Sequence, residues 1–429
     1  MSLPADIESI VSPLSGRSKT CGYCSPQGQR SENETSYDSA SLRAYFLSCS
    51  AYQAMIDRGW RRSGTYCYKP DLRVSCCPQY TIRLDAPQYK PSRSQRKLLN
   101  RWNRYILNGD SELNSMEVDQ MSKSKTSKAP GGSTKGPPFT TLSAAVHESE
   151  TGFCTQEEPA HTFTVILEPS SFTNEKFELF KKYQADIHHD LEKSSSGFKR
   201  FLVETPLNVE PIPYSSTPAD HLPKNYGSYH QLYRVDGQLI AIGVIDILPN
   251  CVSSVYFMYS KKWEKYSMGK ISALREISLV QEMREAGAPE MEYYYMGFYI
   301  YSCQKMRYKG EYAPSYLADP ETYAWYPLES CIPALETHRY ACFSNPSHSS
   351  ANDEDLEELA VTSQLPVLSA DSPEFDDLKT LAKTRNSGQI HSVLIKDTGY
   401  LSFKEVREDL GSCARGLSHD LASKVVFNI

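Results

Sequence analysis

The chain has 429 residues, with Lys+Arg 46 against Asp+Glu 52 and a formal net charge of −6. That length argues for two or three domains, and the charge excludes a uniformly basic nucleic-acid coat. Composition (40% hydrophobic, 23% charged) supports folded cores. The longest apolar stretch, Leu239–Leu248, is too short to span a bilayer and contains Asp246. The N-terminal residues lack the basic and apolar regions of a secretory signal. A soluble intracellular protein of the cytoplasm or nucleus, with no membrane partner, is expected.

In chain order, residues 1–20 read as a flexible arm and 21–107 as a compact cysteine-rich domain. Within that domain Ala51–Arg58 reads as a helix stopped by Gly59, and Tyr66–Tyr68 and Tyr80–Leu84 read as strands. Ser92 is placed to cap a helix with Leu98, Leu99, Trp102, Tyr105 and Ile106 on one side. Residues 108–160, rich in Ser, Lys, Gly and Pro, read as a disordered linker. A second domain, 161–345, opens with a strand at Phe163–Leu167 and a helix near Asn174–His188. Strands at Tyr229–Val235 and Leu239–Leu248 are joined by an Asp236-Gly237 hairpin turn. Val252–Tyr259, a helix carrying Ile271, Leu274, Ile277, Val280 and Met283, and a strand at Tyr293–Tyr301 follow. This succession indicates an α+β fold with a mixed sheet. Residues 346–429 read as an acidic flexible segment and a variable tail.

Four of the twelve cysteines fall in two pairs, Cys21/Cys24 and Cys76/Cys77. Four thiolates suit tetrahedral zinc or an iron–sulfur cluster. Neighbouring cysteines on a regular strand point to opposite faces, so a turn ending at Pro78 is needed to converge Cys76 and Cys77. Unrelated buried thiols and a redox-active vicinal pair are the alternatives. Basic residues concentrate between Arg58 and Arg104, twelve against Asp71 and Asp85. Arg93, Lys97, Arg101 and Arg104 share one face of the Ser92 helix, the footprint of phosphate binding. Lys305, Arg307 and Lys309 form a second patch beside the tyrosine-rich strand, whose rings either stack bases or pack the sheet. Asp246 interrupts a buried strand, where an unpaired carboxylate costs several kcal/mol. It therefore either grips a cation in a cleft or pairs with an internal arginine, with Arg200, Arg234 and Arg275 as the partners considered. Gly269 resembles half of a phosphate-cradling loop, but Ile271 fills the place of its second small residue.

CGYC at 21–24, DRGWRRSGTYCYKP at 57–70, CCPQYTIR at 76–83, the run from Gly227 to Phe257, SALREI at 272–277, YYYMGFYI at 293–300, KMRYKGEY at 305–312 and PETYAWYPLESCIP at 320–333 together resemble the eukaryotic arginyl-tRNA–protein transferases. Gln304 and Asp319 depart from the family pattern, which usually has Pro and Cys there. The resemblance implies transfer of arginine from Arg-tRNA to the α-amine of proteins beginning with Asp or Glu, and in many relatives oxidised Cys. It also implies marking for ubiquitin-dependent degradation, with a ubiquitin ligase downstream. It implies an acetyltransferase-like (GNAT) second domain, an iron–sulfur cluster or zinc on Cys21, Cys24, Cys76 and Cys77, and no need for CoA or ATP. On this reading Arg61, Arg62, Lys69 and Arg200 are candidates for the acceptor's carboxylate. Asp246 binds the donor guanidinium or the acceptor amine, and Tyr256 and Ser254 line the same cleft as catalytic candidates. A CoA-dependent N-acetyltransferase and a non-catalytic RNA-binding regulator are the competing expectations.

Overall fold

The computed structural model describes residues 7–26, 29–109, 141–288, 290–351, 367–384 and 389–429. The strands, numbered along the chain, begin with β1 (Ile10–Leu14), β2 (Ser18–Lys19), β3 (Ser36–Phe46), β4 (Arg61–Ser63), β5 (Tyr66–Pro70) and β6 (Tyr80–Asp85). They continue with β7 (Phe163–Pro169), β8 (Glu210–Pro211), β9 (Asn225–Val235), β10 (Gln238–Leu248), β11 (Cys251–Tyr259) and β12 (Tyr293–Tyr299). The last are β13 (Ser315–Ala318), β14 (Trp325–Pro327), β15 (Lys379–Lys383), β16 (Ile390–Leu394) and β17 (Val426–Phe427). The main helices are α1 (Cys49–Asp57), α2 (Arg93–Asn108), α3 (Leu142–His147), α4 (Asn174–His188), α5 (Met268–Glu285), α6 (Leu328–Thr337) and α7 (Lys404–Leu417).

Two mixed sheets result. One runs β16-β15-β17-β1-β3-β5-β4 with β2 beside β3, and the other runs β14-β13-β6-β12-β11-β10-β9-β7 with β8 beside β9. The expected α+β character holds, but the expected boundaries do not. Residues 10–14 of the expected arm form a strand whose Ile10 and Val11 are buried against β3 and β17. The tail supplies β15, β16, β17 and α7 to the first sheet, so both ends of the chain build one layer. β6, assigned to the cysteine-rich domain, instead pairs with β12 and β13 in the large sheet. One apolar core then runs through both sheets. The linker expectation falls largely on residues outside the described set. Its end is helix α3, capped by Thr141, with Leu142, Ala145 and Val146 buried at i, i+3, i+4 spacing.

Local signals behave as their chemistry requires. Ser92 and Gln95 form a capping box at the start of α2, and Asp236 and Gly237 both take positive φ in the β9–β10 turn. β11 and β12 run parallel, with α5 as the connection between them. Register shifts between Val244 and Ile245, marking a bulge in β11 near Val255.

Candidate functional site

The loop after β5 explains how Cys76 and Cys77 converge. Residues 71–79 form turns and bends rather than a strand, so neighbouring side chains need not alternate. The four sulfurs of Cys21, Cys24, Cys76 and Cys77 lie within 4.8 Å of one another, and Cys24 Sγ is 3.9 Å from Cys76 Sγ. A tetrahedral zinc with Zn–S near 2.3 Å needs sulfurs about 3.8 Å apart, so the set fits such an ion or cluster. Cys21 and Cys77 are buried beside Ile300 and Cys303, while Cys24 is exposed. Hydrogen bonding from Cys77 and from Thr35 draws the Cys76 thiol down to about 5, and burial pushes Cys24 up to about 11. One sulfur thus carries the first negative charge, and a soft cation would stabilise the remaining thiolates.

The same loop walls a cleft of about 810 Å³. Asp71, Leu72, Arg73, Val74 and Gln79 line it on this side, opposite Asp319 and Tyr323, and α7 closes it with Glu408, Asp409, Ser412, Arg415 and Gly416. Arg339 clamps the loop from behind, donating to the carbonyls of Arg73 and Ser75 at 2.7 Å each. Lys69 enters from β5. Its ammonium donates to Tyr323 Oη at 2.6 Å and to the Gly416 carbonyl at 3.1 Å, and forms no ion pair among the described residues. Burial lowers it to about 7, helped by Arg58. Asp319, one of the two departures from the family pattern, is fully buried. Its carboxylate collects backbone N–H groups from Glu321, Thr322, Phe343 and Ser344, which hold it near 2 and tie two loops together. Asp71 and Asp409, on opposite walls, make no ion pair among the described residues, and burial raises both carboxyls. Arg58 Nε, Thr81 Oγ1 and Arg415 Nε in this lining are buried without a hydrogen-bond partner among the described residues. The cleft therefore offers charges of both signs.

Asp246 lies elsewhere. It is wholly buried, and its carboxylate accepts from Arg62 Nε at 2.8 Å, Arg62 Nη2 at 2.5 Å and Ser228 Oγ at 2.7 Å. Both Asp246 and Arg62, expected to meet substrate, are spent on each other; the partner is none of the three arginines considered. Edge strand β4 of one sheet meets interior strand β10 of the other here, a contact that sequence distance hides. Ser254 and Tyr256, two apart on β11, are expected to line one cleft, as regular strand alternation would allow. The β11 bulge defeats that: Tyr256 packs with Phe201 and accepts from Gln184 on α4, whereas Ser254 faces Glu276 of α5. The two residues point to opposite faces of the sheet. Arg61 is buried, its guanidinium donating to the carbonyls of Ile56, Trp60 and Gly297. Arg200 is exposed and outside the cleft lining, and only its carbonyl is crowded, against Gly64. A Cβ there would sit 1.8 Å away, and φ is +62°, so position 64 requires glycine. Of the four acceptor candidates only Lys69 lines the cleft.

The nucleic-acid candidates divide similarly. Arg93, Lys97 and Arg104 are exposed on α2, and Arg101 Nη2 donates to the Lys265 carbonyl at 2.7 Å. That contact joins α2 to a short 3-10 turn bearing exposed Lys261, Lys262 and Lys265, three cations the reading of the sequence missed. Lys305 and Arg307 are exposed, but Lys309 is buried, with its ammonium on the Phe298 carbonyl at 2.5 Å. Three of the four β12 tyrosines are core: Tyr294, Tyr295 and Tyr299 are at most 3% exposed, which removes them from base stacking, while Tyr293 is half-buried. Ile271, too, is buried in the core.

A cluster of four cysteines beside one wall of a large two-signed cleft, on a mixed two-sheet frame, defines a ligand-handling α+β protein. Comparison with known sequences makes the class specific. Residues 19–97 match the sequence model for the N terminus of arginine-tRNA-protein transferase, and residues 175–319 match that for its C terminus. Arginyl-tRNA–protein transferase 1 of Drosophila melanogaster is 35% identical over 77% of this chain and 85% of its own length. Arginyl-tRNA–protein transferase 2 of Arabidopsis thaliana is 30% identical over 80% and 79%. An aspartate/glutamate leucyltransferase of Pseudomonas fluorescens is 26% identical over 62% and 80%. Among solved structures, the C-terminal domain of a putative lysylphosphatidylglycerol synthetase from Agrobacterium fabrum aligns with a TM-score of 0.24 and 13% identity, covering 60% of this chain and 54% of that one. The chain belongs to the arginine-tRNA–protein transferase family. It is an enzyme of the transferase class, one that moves arginine from tRNA to protein.

Proposed function

We propose that the acceptors are proteins whose first residue is Asp or Glu, that the 810 Å³ cleft is where acceptor and donor meet, and that the product is handed to ubiquitin-dependent degradation in the cytosol or nucleus. The observation that carries the reading is Lys69, a cation in the cleft lining with no carboxylate partner among the described residues. A bound acceptor carboxylate supplies that partner and restores the charge that burial weakens. Asp71 and Asp409 are suited to the donor's guanidinium. A relative named for aspartate and glutamate acceptors supports the same acceptor class.

The chemistry needs little machinery. The ester of an aminoacyl-tRNA is already activated, so the neutral α-amine attacks its carbonyl carbon, a C–N bond forms, and the tRNA hydroxyl leaves with a proton. An α-amine with a pKa of about 7.7–8.0 is partly neutral at pH 7. Holding amine and ester together supplies much of the acceleration, and cleft donors such as Thr81 and Arg415 are suited to the developing oxyanion. Zinc or an iron–sulfur cluster on the four cysteines would fix the 71–79 wall when bound. The face of α2, continued by Lys261, Lys262 and Lys265, together with Lys305 and Arg307, provides phosphate contacts for the tRNA. The deciding experiment gives labelled Arg-tRNA to peptides beginning Asp, Glu or Ala, with and without RNase. RNase-sensitive label on the first two alone supports the proposal; equal labelling of the Ala peptide refutes the acceptor assignment.

A further inference from the structure

Away from the cleft, α3, the 219–222 turn and α5 bring two imidazoles and a carboxylate together. His147 Nε2 lies 3.2 Å and His221 Nε2 2.8 Å from the same atom, Glu282 Oε2, and one ligand atom from each of the three residues lies within 4.8 Å of the others. A tetrahedral zinc with ligands at about 2.0–2.2 Å spaces them roughly 3.4 Å apart; the His147 contact is close to that edge length, and the His221 contact is shorter by about 0.6 Å, so an ion entering would spread it. The surroundings are built for ligation. His147 Nδ1 contacts Glu150 Oε2 at 2.7 Å, which leaves Nε2 aimed inward, and Arg275 pairs with Glu150 in turn. Ser278 Oγ donates to Glu282 Oε1 at 2.5 Å, orienting that carboxylate. Carboxylates and hydroxyls behind the ligands are how proteins orient metal-binding imidazoles. The His147 and Glu282 side chains are 8% and 10% exposed and His221 is 32% exposed, so the group opens on one side. It opens into a cavity of about 250 Å³ lined also by Asp220.

We propose that His147, His221 and Glu282 bind a second metal ion, of the zinc class, separate from the four-cysteine site. Two imidazoles exclude the oxygen-seeking Ca²⁺ and Mg²⁺. Three protein ligands leave a fourth position facing the cavity, where water or Asp220 completes the tetrahedron. The ion fastens α3 and the 219–222 turn to α5, joining three segments distant in sequence. It is a clamp on the α5 face and takes no part in group transfer.

The test leaves the cysteine site untouched. Full-length wild type, His221→Ala and Glu282→Gln are equilibrated with limiting free zinc, and bound metal is counted by atomic emission. Wild type is expected to retain one equivalent more than either variant, and added zinc is expected to raise its melting temperature but not that of His221→Ala. His221 is partly exposed, so its removal leaves a folded protein for the comparison. Equal zinc content in all three proteins overturns the proposal, as does an identical zinc-dependent thermal shift in wild type and His221→Ala.

Discussion

Replacing Asp246 by Asn tests whether that carboxylate holds the structure or the substrate. The side chain is 0% exposed and its partner Arg62 3%, so neither is screened by water. In the variant an amide –NH₂ faces the guanidinium where an oxygen accepted, and the Arg62 charge stays buried without compensation. A charge-assisted hydrogen bond contributes about 1.5–3 kcal/mol, and breaking a buried pair costs about 3–5 kcal/mol. Against a typical stability of about 5–15 kcal/mol, this is a large fraction. The assay is urea denaturation followed by fluorescence, with transfer to an Asp-initiated peptide measured well below the transition. Asp246→Asn and Arg62→Met are each expected to lower the midpoint strongly. The double variant Arg62→Met/Asp246→Leu, with no charge left to strand, is expected to recover most of the loss. Turnover of folded Asp246→Asn stays within a few-fold of wild type. An unchanged midpoint combined with a more than tenfold loss of transfer would refute this assignment and return Asp246 to the substrate site.

Lys69→Met is expected to raise KM for an Asp-initiated peptide at least tenfold while tRNA binding holds. Because burial lowers Lys69 from 10.5 to about 7, the empty cleft loses its cation as pH rises through about 7. Acceptor KM therefore climbs between pH 6 and 8 in wild type and stays flatter in Lys69→Arg; the opposite slope contradicts the role. On the stability side the unfolded lysine binds the proton up to 10.5 and the folded one only to about 7, so this group makes the fold more stable as pH rises across that window. Cys76→Ser/Cys77→Ser should abolish zinc or iron binding by the four cysteines, read by elemental analysis, and increase hydrogen exchange in residues 71–79; unchanged exchange would remove the cysteine cluster from bracing the wall. Reversing Lys261, Lys262 and Lys265 to Glu should weaken tRNA binding and flatten its log-salt slope by about 0.7–0.9 per lost phosphate contact. Gly416→Ala places a Cβ 2.9 Å from both Ala40 Cβ and Trp60 Cζ2, an overpacking of about 1–3 kcal/mol visible as a lower denaturation midpoint.

What was legible in the sequence was short in range. The capping box at Ser92, the Asp-Gly hairpin, the apolar stripe of α5 and the four-cysteine pattern each rest on residues close together or on a ligand chemistry with few solutions. What was hidden is long in range or turns on one inserted residue. The Arg62–Asp246 pair joins positions 184 apart in sequence, and no local periodicity names an arginine's partner. The bulge near Val255 shifts register by one residue, enough to send Ser254 and Tyr256 to opposite faces. The tail carries weak strand signals because β17 is only two residues long. It belongs to the fold through Trp60, whose Nε1–H donates to the Gly416 carbonyl at 2.9 Å. That same carbonyl accepts from Lys69. The C-terminal helix is thus part of the cleft's charge chemistry: shifting α7 removes a hydrogen-bond acceptor from Lys69, the cation proposed for the acceptor's carboxylate, and does so from more than three hundred residues away in sequence. Loosening α7 should therefore raise acceptor KM before it unfolds the protein, so Gly416→Ala is expected to show the KM defect at temperatures where its global fold is intact. A normal KM there would separate the tail from the site.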